Sequence, residues 1–328
     1  MDYMSTVIPV LMAFAISVVL CPIIIPFLKK MKFGQYVRED GPREHLKKAG
    51  TPTMGGLIIL ACTTLISLIY VRGNSEVLPV LFATLGFGLI GFLDDYIKVV
   101  LKRSLGLTPW QKIVLQAVVA GIFIYYYLFK LGYEPEFLVP FSGGITDGLY
   151  ISMPLPVFVV FVYFVMLGTV NGTNFTDGLD GLASSVTLLV AIFFTVVAYG
   201  MKSGIMPVTA SVAGSLMGFL LYNVYPASVF MGDTGSLALG GFVSSAALML
   251  KLPIFIVIVG AVYLIEVLSV IIQVVYFKIS GGKRFFKMAP IHHHFEQCGW
   301  QETKVVTVFS MFTVIMCLIA LAALYLGG

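Results

Sequence analysis

Residues 77–98 read VLPVLFATLGFGLIGFLDDYIK, an apolar run of helical length that ends in two adjacent carboxylates, Asp94 and Asp95. Asp94 lies 17 residues after Val77. At 1.5 Å per residue this is roughly 26 Å, close to the thickness of the hydrocarbon core of a bilayer. The stretch therefore predicts a membrane-spanning helix whose acidic pair emerges where the membrane meets water.

The composition of the whole chain agrees with this interpretation. Of the 328 residues, 59% are hydrophobic and 11% are charged, and the mean hydropathy is +1.00. A soluble domain carries about 25% charged residues, so the composition excludes a water-soluble globular protein. The alternating pattern of a membrane β-barrel is absent. We expect an all-α, polytopic integral membrane protein that forms a single domain over residues 1–328.

About ten apolar runs are long enough to be membrane spans. They cover residues 5–28, 54–71, 77–97, 109–130, 154–171, 181–199, 206–222, 235–250, 253–277 and 304–326. The span 253–277 would measure roughly 37 Å if straight, so it should tilt or bend. The connection 131–153 is rich in Gly and Pro and predicts a small hairpin or a surface loop.

The placement of Lys and Arg predicts the orientation of these spans, because cytoplasmic loops carry an excess of both. With the N-terminus outside, sixteen of the twenty basic residues fall on the inner side. They are Lys29, Lys30, Lys32, Arg38, Arg43, Lys47, Lys48, Lys98, Lys102, Arg103, Lys112, Lys278, Lys283, Arg284, Lys287 and Lys304. The outer side has four, Arg72, Lys130, Lys202 and Lys251. This asymmetry predicts that both termini lie outside.

The unusual polar residues fall in or beside the five predicted inner loops, 29–53, 98–108, 172–180, 223–234 and 278–303. The pair Asp94 and Asp95 is one example. A solvated acidic helix end is the simplest explanation, but carboxylates at a helix C-terminus oppose the macrodipole and repel each other. Such a pair favours a metal, a proton or a cationic partner. Lys98, four residues after Asp94, lies on the same helix face.

Two further loops carry carboxylates among glycines. In NGTNFTDGLDGLASS (171–185), Asp177 and Asp180 would share a helix face if the next helix began there; the alternative is an N-cap followed by a turn. Asp233, in YNVYPASVFMGDTGSLALGG (222–241), is either a helix N-cap, with Thr234 and Ser236 as competitors, or a ligand for a divalent cation that bridges to phosphate.

Histidines and one intramembrane acid complete the unusual residues. His292, His293 and His294 are consecutive, so their side chains point in different directions; this favours a phosphate or nucleotide site over zinc. Glu266 lies inside the ninth span, where an acid is either functional or hydrogen-bonded to Ser269 or Gln273. The four cysteines, Cys21, Cys62, Cys298 and Cys317, have no spacing that indicates a disulfide framework or a zinc site.

Carboxylates, lysines and glycine turns at one membrane face suit magnesium-assisted phosphoryl transfer. The reactants would be a soluble phosphate compound and a substrate held in the membrane. The alternative from another class is a secondary transporter, for which Glu266 would be the acid near the midplane. The clustering of the other acids at one face argues against it, since transporters bind their substrates near the bilayer midplane.

Seven stretches carry a close resemblance to a known family. They are KKAGTPTMGG (47–56), GFLDDYIK (91–98), GLTPWQKIVLQ (106–116), NGTNFTDGLDGLA (171–183), FMGDTGSLALGG (230–241), EVLSVIIQVVYFK (266–278) and APIHHHFE (289–296). At these residues the chain resembles the phospho-N-acetylmuramoyl-pentapeptide transferases of bacterial cell-wall synthesis. They belong to the polyprenyl-phosphate N-acetylhexosamine-1-phosphate transferases. The first and last motifs point to the muramoyl branch rather than to a sibling that uses UDP-N-acetylglucosamine.

The resemblance implies a reaction in which UDP-N-acetylmuramoyl-pentapeptide and undecaprenyl phosphate give lipid I and UMP, with Mg²⁺ required. It implies a multi-pass protein of the bacterial inner (plasma) membrane that acts in peptidoglycan synthesis, and so in cell shape and division. A homodimer is expected, and nucleic acid is not expected as a partner. Two mechanisms for this transfer remain open. In one step, Asp94 takes a proton from the lipid phosphate, which attacks directly. In two steps, an aspartate attacks first.

The resemblance also implies roles for residues. Asp94, Asp95 and Asp233 would be catalytic, with Asp233 as the magnesium ligand. The candidate substrate-binding residues are Lys48, Thr53, Lys98, Asn174, Asp177, Asp180, Asn223, Phe230, Gln273, His292, His293 and His294.

Overall fold

The computed structural model describes residues 4–31, 48, 50–72, 74–100 and 106–325, and most of them are helical. The helices are α1 (Met4–Lys30), α2 (Gly56–Ile69), α3 (Val77–Val100), α4 (Pro109–Tyr125), α5 (Gly144–Asp147), α6 (Leu155–Thr176), α7 (Leu182–Gly200), α8 (Met206–Asn223), α9 (Gly232–Met249), α10 (Ile256–Val259), α11 (Ala261–Ile279), α12 (Ile291–Gln297) and α13 (Glu302–Tyr325). A π-helical turn, Tyr126–Lys130, extends α4.

The expected all-α class has one small exception. Strands β1 (Glu136–Leu138) and β2 (Tyr150–Ser152) pair antiparallel, with Phe137 opposite Ile151. They lie in the connection 131–153, where the sequence predicted a hairpin or a loop. The structure therefore gives the hairpin, with the single-turn helix α5 between its strands.

Seven helices within the described ranges are long and apolar enough to cross a membrane: α1, α3, α4, α6, α7, α11 and α13. Helical segments also coincide with the other three predicted spans. Of these, α2 is shorter, at 14 residues. Helices α8 and α9 have 18 residues each, but Gly, Ser and Thr lower their hydropathy. Part of the predicted charge asymmetry, Lys32, Arg38, Arg43, Lys47, Lys102 and Arg103, lies outside the described residues.

The long ninth span, predicted at 253–277, is bent as expected. A 3₁₀ turn (Pro253–Phe255) leads into α10, and the chain then breaks at Gly260 before α11 begins. The break divides a segment that would be too long for the hydrocarbon core if it were straight. Glu266 consequently lies in the second turn of α11.

Helix α9 is the centre of the bundle and packs mainly against α3 and α6. It is buried from Thr234 to Met249, and its small residues let neighbouring backbones approach closely. The closest approach is at Gly91 of α3, where a Cβ atom would lie 2.0 Å from the backbone oxygen of Asp233. Glycine is therefore required at this contact, which brings the acidic end of α3 beside the start of α9.

Candidate active site

Three carboxylates meet where α3 ends and α9 begins. Asp94 and Asp95 are buried, at 0% and 4% exposure, and Asp233 is the second residue of α9. One oxygen from each lies within 4.8 Å of the others. We call Asp94, Asp95 and Asp233 the carboxylate cluster.

Two lysines contact the carboxylate cluster. Lys98, one helical turn beyond Asp94 as its spacing predicted, lies 2.5 Å from Asp94 Oδ2 and 3.0 Å from Asp233 Oδ2. Lys112 lies 2.6 Å from Asp233 Oδ2 and 3.5 Å from Asp94 Oδ2. Lys112 is in the first turn of α4, whose start is fixed by a capping box at Thr108. The cations offset the repulsion among three carboxylates.

Asp95 holds the start of α9. Its Oδ1 accepts a hydrogen bond from the backbone N–H of Asp233 (3.2 Å), and its Oδ2 accepts from the N–H (2.9 Å) and the hydroxyl (2.7 Å) of Thr234. The N-cap residue of α9 is Met231, whose side chain makes no capping bond. The alternative in which Asp233 caps this helix is therefore wrong. The cap comes from Asp95, on another helix.

The remaining contacts fix the other two carboxylates. Asp94 Oδ1 accepts a hydrogen bond from the backbone N–H of Leu107 at 2.8 Å. Asn174, at the end of α6, donates from Nδ2 to Asp233 Oδ1 at 2.9 Å and to Ser236 Oγ at 2.9 Å. Four helices, α3, α4, α6 and α9, thus contribute side chains to one site.

A second group of charges lies around Lys48. Its Nζ is 2.7 Å from Asp180 Oδ1 and 2.7 Å from Glu302 Oε1. Glu302 also accepts a hydrogen bond from the backbone N–H of Asp180 (2.6 Å), while Asp180 Oδ2 accepts from the N–H of Ala227 (2.9 Å). Burial opposes the charge of Lys48, but the hydrogen bonds and charges of its two partners outweigh it and hold the pKa of Lys48 above its ordinary value.

Asp177 and Asp180 lie in the loop between α6 and α7, not on a shared helix face. Asp177 is the C-cap of α6, and the N-cap of α7 is Gly181. Both the helix-face expectation and its N-cap alternative are therefore wrong. Burial raises the pKa of Asp177 to about 8, and the charges of Asp233, Asp95 and Asp180 act in the same direction. The loop thus joins the carboxylate cluster to the group around Lys48.

The segments that carry Thr53 and Phe230 are joined by backbone hydrogen bonds. The Phe230 N–H donates to the Pro52 oxygen (2.8 Å), and the Gly55 N–H donates to the Phe230 oxygen (2.9 Å). Asn223 is buried; it accepts from the Ser184 hydroxyl (2.6 Å) and donates to the Val229 oxygen (2.9 Å). Asn223 therefore ties α7 to the segment before α9.

The chain is similar to known proteins along nearly its whole length. Residues 77–251 match the family described as Glycosyl transferase family 4, and residues 48–60 match signature 1 of phospho-N-acetylmuramoyl-pentapeptide-transferase. The phospho-N-acetylmuramoyl-pentapeptide-transferase of Clostridium botulinum (strain Alaska E43 / Type E3) is 50% identical over 319 residues, 96% of this chain and 95% of that protein. The protein of that name from Caldicellulosiruptor bescii is 47% identical over 327 residues, 98% of each. The chain belongs to the phospho-N-acetylmuramoyl-pentapeptide transferase family.

The three consecutive histidines that carried the resemblance to this transferase family face three different partners. His292 Nδ1 lies 3.1 Å from Glu266 Oε2, and His293 Nδ1 lies 2.8 Å from Glu296 Oε2. His294 Nδ1 accepts a hydrogen bond from the backbone N–H of Lys287 at 3.1 Å. The side chains point in different directions, as consecutive helical residues should.

The hydrogen bonds considered for the Glu266 carboxylate are wrong. The Ser269 hydroxyl donates to the backbone oxygen of Glu266 (2.7 Å), not to its side chain. Gln273 Oε1 accepts from the backbone N–H of Phe286 (2.8 Å). The carboxylate of Glu266 instead faces His292 from the adjoining helix α12.

Sequence reasoning missed two residues of the candidate site. Lys112 was counted only as a basic residue of the inner side, although it lies inside the motif GLTPWQKIVLQ. Glu302 was not singled out, because the predicted last span began at residue 304. An acid two residues before the predicted span, beside a loop that carries candidate site residues, is the signal that was available.

Proposed function

We propose that this chain transfers phospho-N-acetylmuramoyl-pentapeptide from its UDP-linked donor to undecaprenyl phosphate, giving lipid I and UMP. The observation that carries the proposal is the carboxylate cluster with Lys98 and Lys112 at the end of a membrane-spanning helix. Relatives that align along nearly the whole chain carry the name of this transferase. Cationic side chains bind anionic phosphates through charge-assisted hydrogen bonds. For a lipid-linked phosphate, these side chains must lie at the membrane boundary.

The carboxylate cluster fits Mg²⁺ by its chemistry, since this ion takes hard oxygen ligands and usually binds through one or two carboxylates and substrate phosphates. Both oxygens of Asp95 accept hydrogen bonds from the start of α9, which leaves Asp95 poorly placed as a ligand. The side chain of Asp233 is 17% exposed, against 1% for that of Asp94. Both oxygens of Asp233 also accept hydrogen bonds, but those on Oδ2 come from the long side chains of Lys98 and Lys112, which can turn toward substrate phosphates. Asp233 is therefore the residue that would hold the metal. Bound Mg²⁺ supplies positive charge that stabilises the transferring phosphoryl group.

Asp94 Oδ2 is the oxygen best placed to receive a proton. It lies beside the ammonium groups of Lys98 and Lys112, whereas Asp94 Oδ1 is held by a backbone N–H. Exchange of a lysine for the hydroxyl of the lipid phosphate would let Asp94 accept that proton. Lys98 and Lys112 would then bind the phosphates of the two substrates.

We favour transfer in one step. An oxygen of the lipid phosphate forms a bond to the β-phosphorus of the UDP-linked donor. The bond from that phosphorus to the bridging oxygen breaks, and UMP leaves with the electron pair. The two-step alternative requires an aspartate to attack first. The hydrogen bonds on both oxygens of Asp95 disfavour that residue as the nucleophile.

Release of UMP by the purified protein in detergent tests the proposal. With undecaprenyl phosphate and Mg²⁺ present, we expect UDP-N-acetylmuramoyl-pentapeptide to support UMP release and UDP-N-acetylglucosamine not to support it. Equal turnover of both sugars would overturn the assignment to the muramoyl branch. Absence of UMP release from either sugar would refute the reaction.

We further propose ten spans with both termini outside, in the plasma membrane of a bacterium, with the carboxylate cluster on the cytoplasmic side. Cys298 is exposed, whereas Cys21, Cys62 and Cys317 are buried. A membrane-impermeant maleimide should therefore label Cys298 in inverted vesicles and leave it unlabelled in intact cells. Labelling from outside would overturn the orientation. The homodimer expected from the resemblance is tested by the mass of the protein in detergent.

A further inference from the structure

A carboxylate and an imidazole are buried together away from the carboxylate cluster. Glu266 and His292 are both at 0% exposure. His292 Nδ1 lies 3.1 Å from Glu266 Oε2, although the contact is not aligned as a hydrogen bond. Within the described part of the chain, neither the two oxygens of Glu266 nor the two ring nitrogens of His292 have a hydrogen-bond partner. Buried polar groups are normally paired, so these four atoms need an explanation.

The short contact accounts for one atom from each residue. Burial of an unpaired carboxylate is strongly unfavourable, and His292 Nδ1 lies at hydrogen-bond distance from Glu266 Oε2. A proton on Nδ1, with a small rotation of the imidazole that aligns the contact, satisfies both atoms. The hydrogen bond made by one ring nitrogen fixes the tautomer and the orientation of the ring. Glu266 thereby determines where the other nitrogen, Nε2, points.

His292 Nε2 points at the loop that joins the two charged groups of the site. A Cβ atom on Gly178 would lie 2.1 Å from Nε2 and 2.6 Å from Cε1 of His292. The imidazole edge therefore rests on the backbone of Gly178, where any larger residue would push it away. Asp177, beside the carboxylate cluster, precedes Gly178, and Asp180, the partner of Lys48, follows two residues later.

We propose that Glu266 is a positioning residue for binding of the donor. Its carboxylate holds Nδ1–H of His292, so that the Nε2 edge of the imidazole supports the 177–181 loop, and the loop in turn binds the uridine of the UDP-sugar. This inference rests on the proposed function, because that function supplies the nucleotide. The uridine is not part of the group transferred and lies away from the reacting phosphorus, so a contact to it stabilises ground state and transition state alike. Loss of such a contact raises KM and leaves kcat nearly unchanged.

Variants of Glu266 separate positioning from simple packing. Glu266→Leu keeps the bulk of the side chain and removes the acceptor; we expect KM for the UDP-linked donor to rise about tenfold, with kcat within about threefold. Glu266→Gln keeps a carbonyl oxygen that can accept from Nδ1–H, so KM should rise less than about threefold. Ser269→Ala is the matched control, since Ser269 is buried on the same helix and its hydroxyl bonds the backbone of Glu266, not the carboxylate. It should leave KM unchanged.

A double-mutant cycle tests whether Glu266 acts through His292. If it does, Glu266→Leu should add nothing to the effect of His292→Ala on KM. Additive effects, or an unchanged KM in Glu266→Leu with only the melting temperature lowered, would overturn the positioning role. If Glu266→Leu does not fold, the same cycle is read with Glu266→Gln, which should give a small increase in KM that disappears when His292 is replaced.

The tautomer gives a readout that does not depend on turnover. The chain has four histidines, and nitrogen-15 labelling of histidine distinguishes protonated from unprotonated ring nitrogens. We expect His292, assigned by its loss in His292→Ala, to carry a proton on Nδ1 in the wild-type protein and to lose this preference in the Glu266 variant. A wild-type His292 without a proton on Nδ1 would overturn the inference. A protein that releases no UMP but shows the expected tautomer would refute the proposed function and leave the Glu266–His292 pair established.

Discussion

The two ends of helix α3 hold acidic residues in different surroundings. Before its first residue, Glu76 accepts hydrogen bonds from the Tyr133 hydroxyl (2.9 Å), the Ser203 hydroxyl (3.0 Å) and the Gly204 N–H (2.8 Å). Each of these donors is neutral. They come from two separate connections of the chain, so Glu76 ties those connections to the start of α3.

At the other end of α3, three carboxylates crowd around two lysines. Lys98 and Lys112 each contact both Asp94 and Asp233. Like charges brought this close disfavour one another, and a purely structural tie needs no such arrangement. Under the proposed function, the acid held by neutral donors serves stability, whereas the crowded, cation-bridged group serves binding and catalysis. Mutations at the two ends should therefore separate stability from turnover.

The largest effect should come from Asp233→Asn. The amide keeps an oxygen for Asn174 but loses the charge that would hold a metal, and loss of several kcal/mol of electrostatic stabilisation means about a hundredfold or more in rate. Because Asp95, not Asp233, caps α9, the melting temperature should stay near that of the wild type. The measurement is initial UMP release against Mg²⁺ concentration, with thermal unfolding alongside.

The exposed Asp147, in helix α5 of the hairpin connection, supplies the matched control for this change. Asp147→Asn removes the same charge far along the chain from the carboxylate cluster and should leave turnover unchanged. Near wild-type turnover of Asp233→Asn at ordinary Mg²⁺ would remove Asp233 as the metal ligand.

Asp95→Asn should lower both quantities. Its amide nitrogen cannot accept, so one of the donors at the start of α9 loses its partner in a buried place, at a cost of about 1–3 kcal/mol. Displacement of the first turn of α9 moves Asp233, and we expect turnover to fall roughly tenfold or more. Thermal unfolding and UMP release on the same preparation give the two numbers. Unchanged stability with lost turnover would show that Asp95 acts in the chemistry instead of holding the helix.

Lys112→Met should have a smaller effect on turnover. Methionine keeps much of the side-chain length and removes the ammonium group that lies 2.6 Å from Asp233. Since Lys98 still contacts both carboxylates, we expect about a tenfold loss, equivalent to about 1.4 kcal/mol. Lys130→Met is the control and should leave turnover unchanged; Lys130 lies at the end of the π-helical turn that follows α4. Equal losses in the two variants would contradict a specific role for Lys112.

Apolar runs and residue spacing predicted those features of the structure that depend on residues close together in the sequence. The apolar runs located ten helical segments, and the spacing of four between Asp94 and Lys98 predicted their contact. Such patterns report which residues share a helix face. The excess length of the ninth span likewise predicted a bend, which the structure has at Gly260.

Contacts between segments far apart in the sequence could not be predicted from these local patterns. Asp95 caps a helix that begins 137 residues later, so a search for a cap near Asp233 chose the wrong residue. Glu266 faces His292 across a loop, where the spacing favoured Ser269 or Gln273. Helices α8 and α9 are buried among other helices, so their small polar residues serve packing and make their hydropathy a poor guide to position.

The smallest effect on turnover should come from Glu76→Gln, at the other end of the comparison. The amide keeps one acceptor oxygen and places an NH₂ group opposite a donor that the carboxylate satisfied. Hydrogen bonds to charged groups contribute about 1.5–3 kcal/mol each, so the variant should lose about 1–2 kcal/mol of stability. Turnover per folded molecule should not change, since none of the three donors to Glu76 touches the carboxylate cluster. Glu134→Gln, an exposed acid in the same connection as Tyr133, is the control and should alter neither quantity. The measurement is urea unfolding in detergent combined with UMP release normalised to folded protein. A loss of turnover at unchanged stability would break the comparison, because it would mean that the acid held only by neutral donors also serves the reaction.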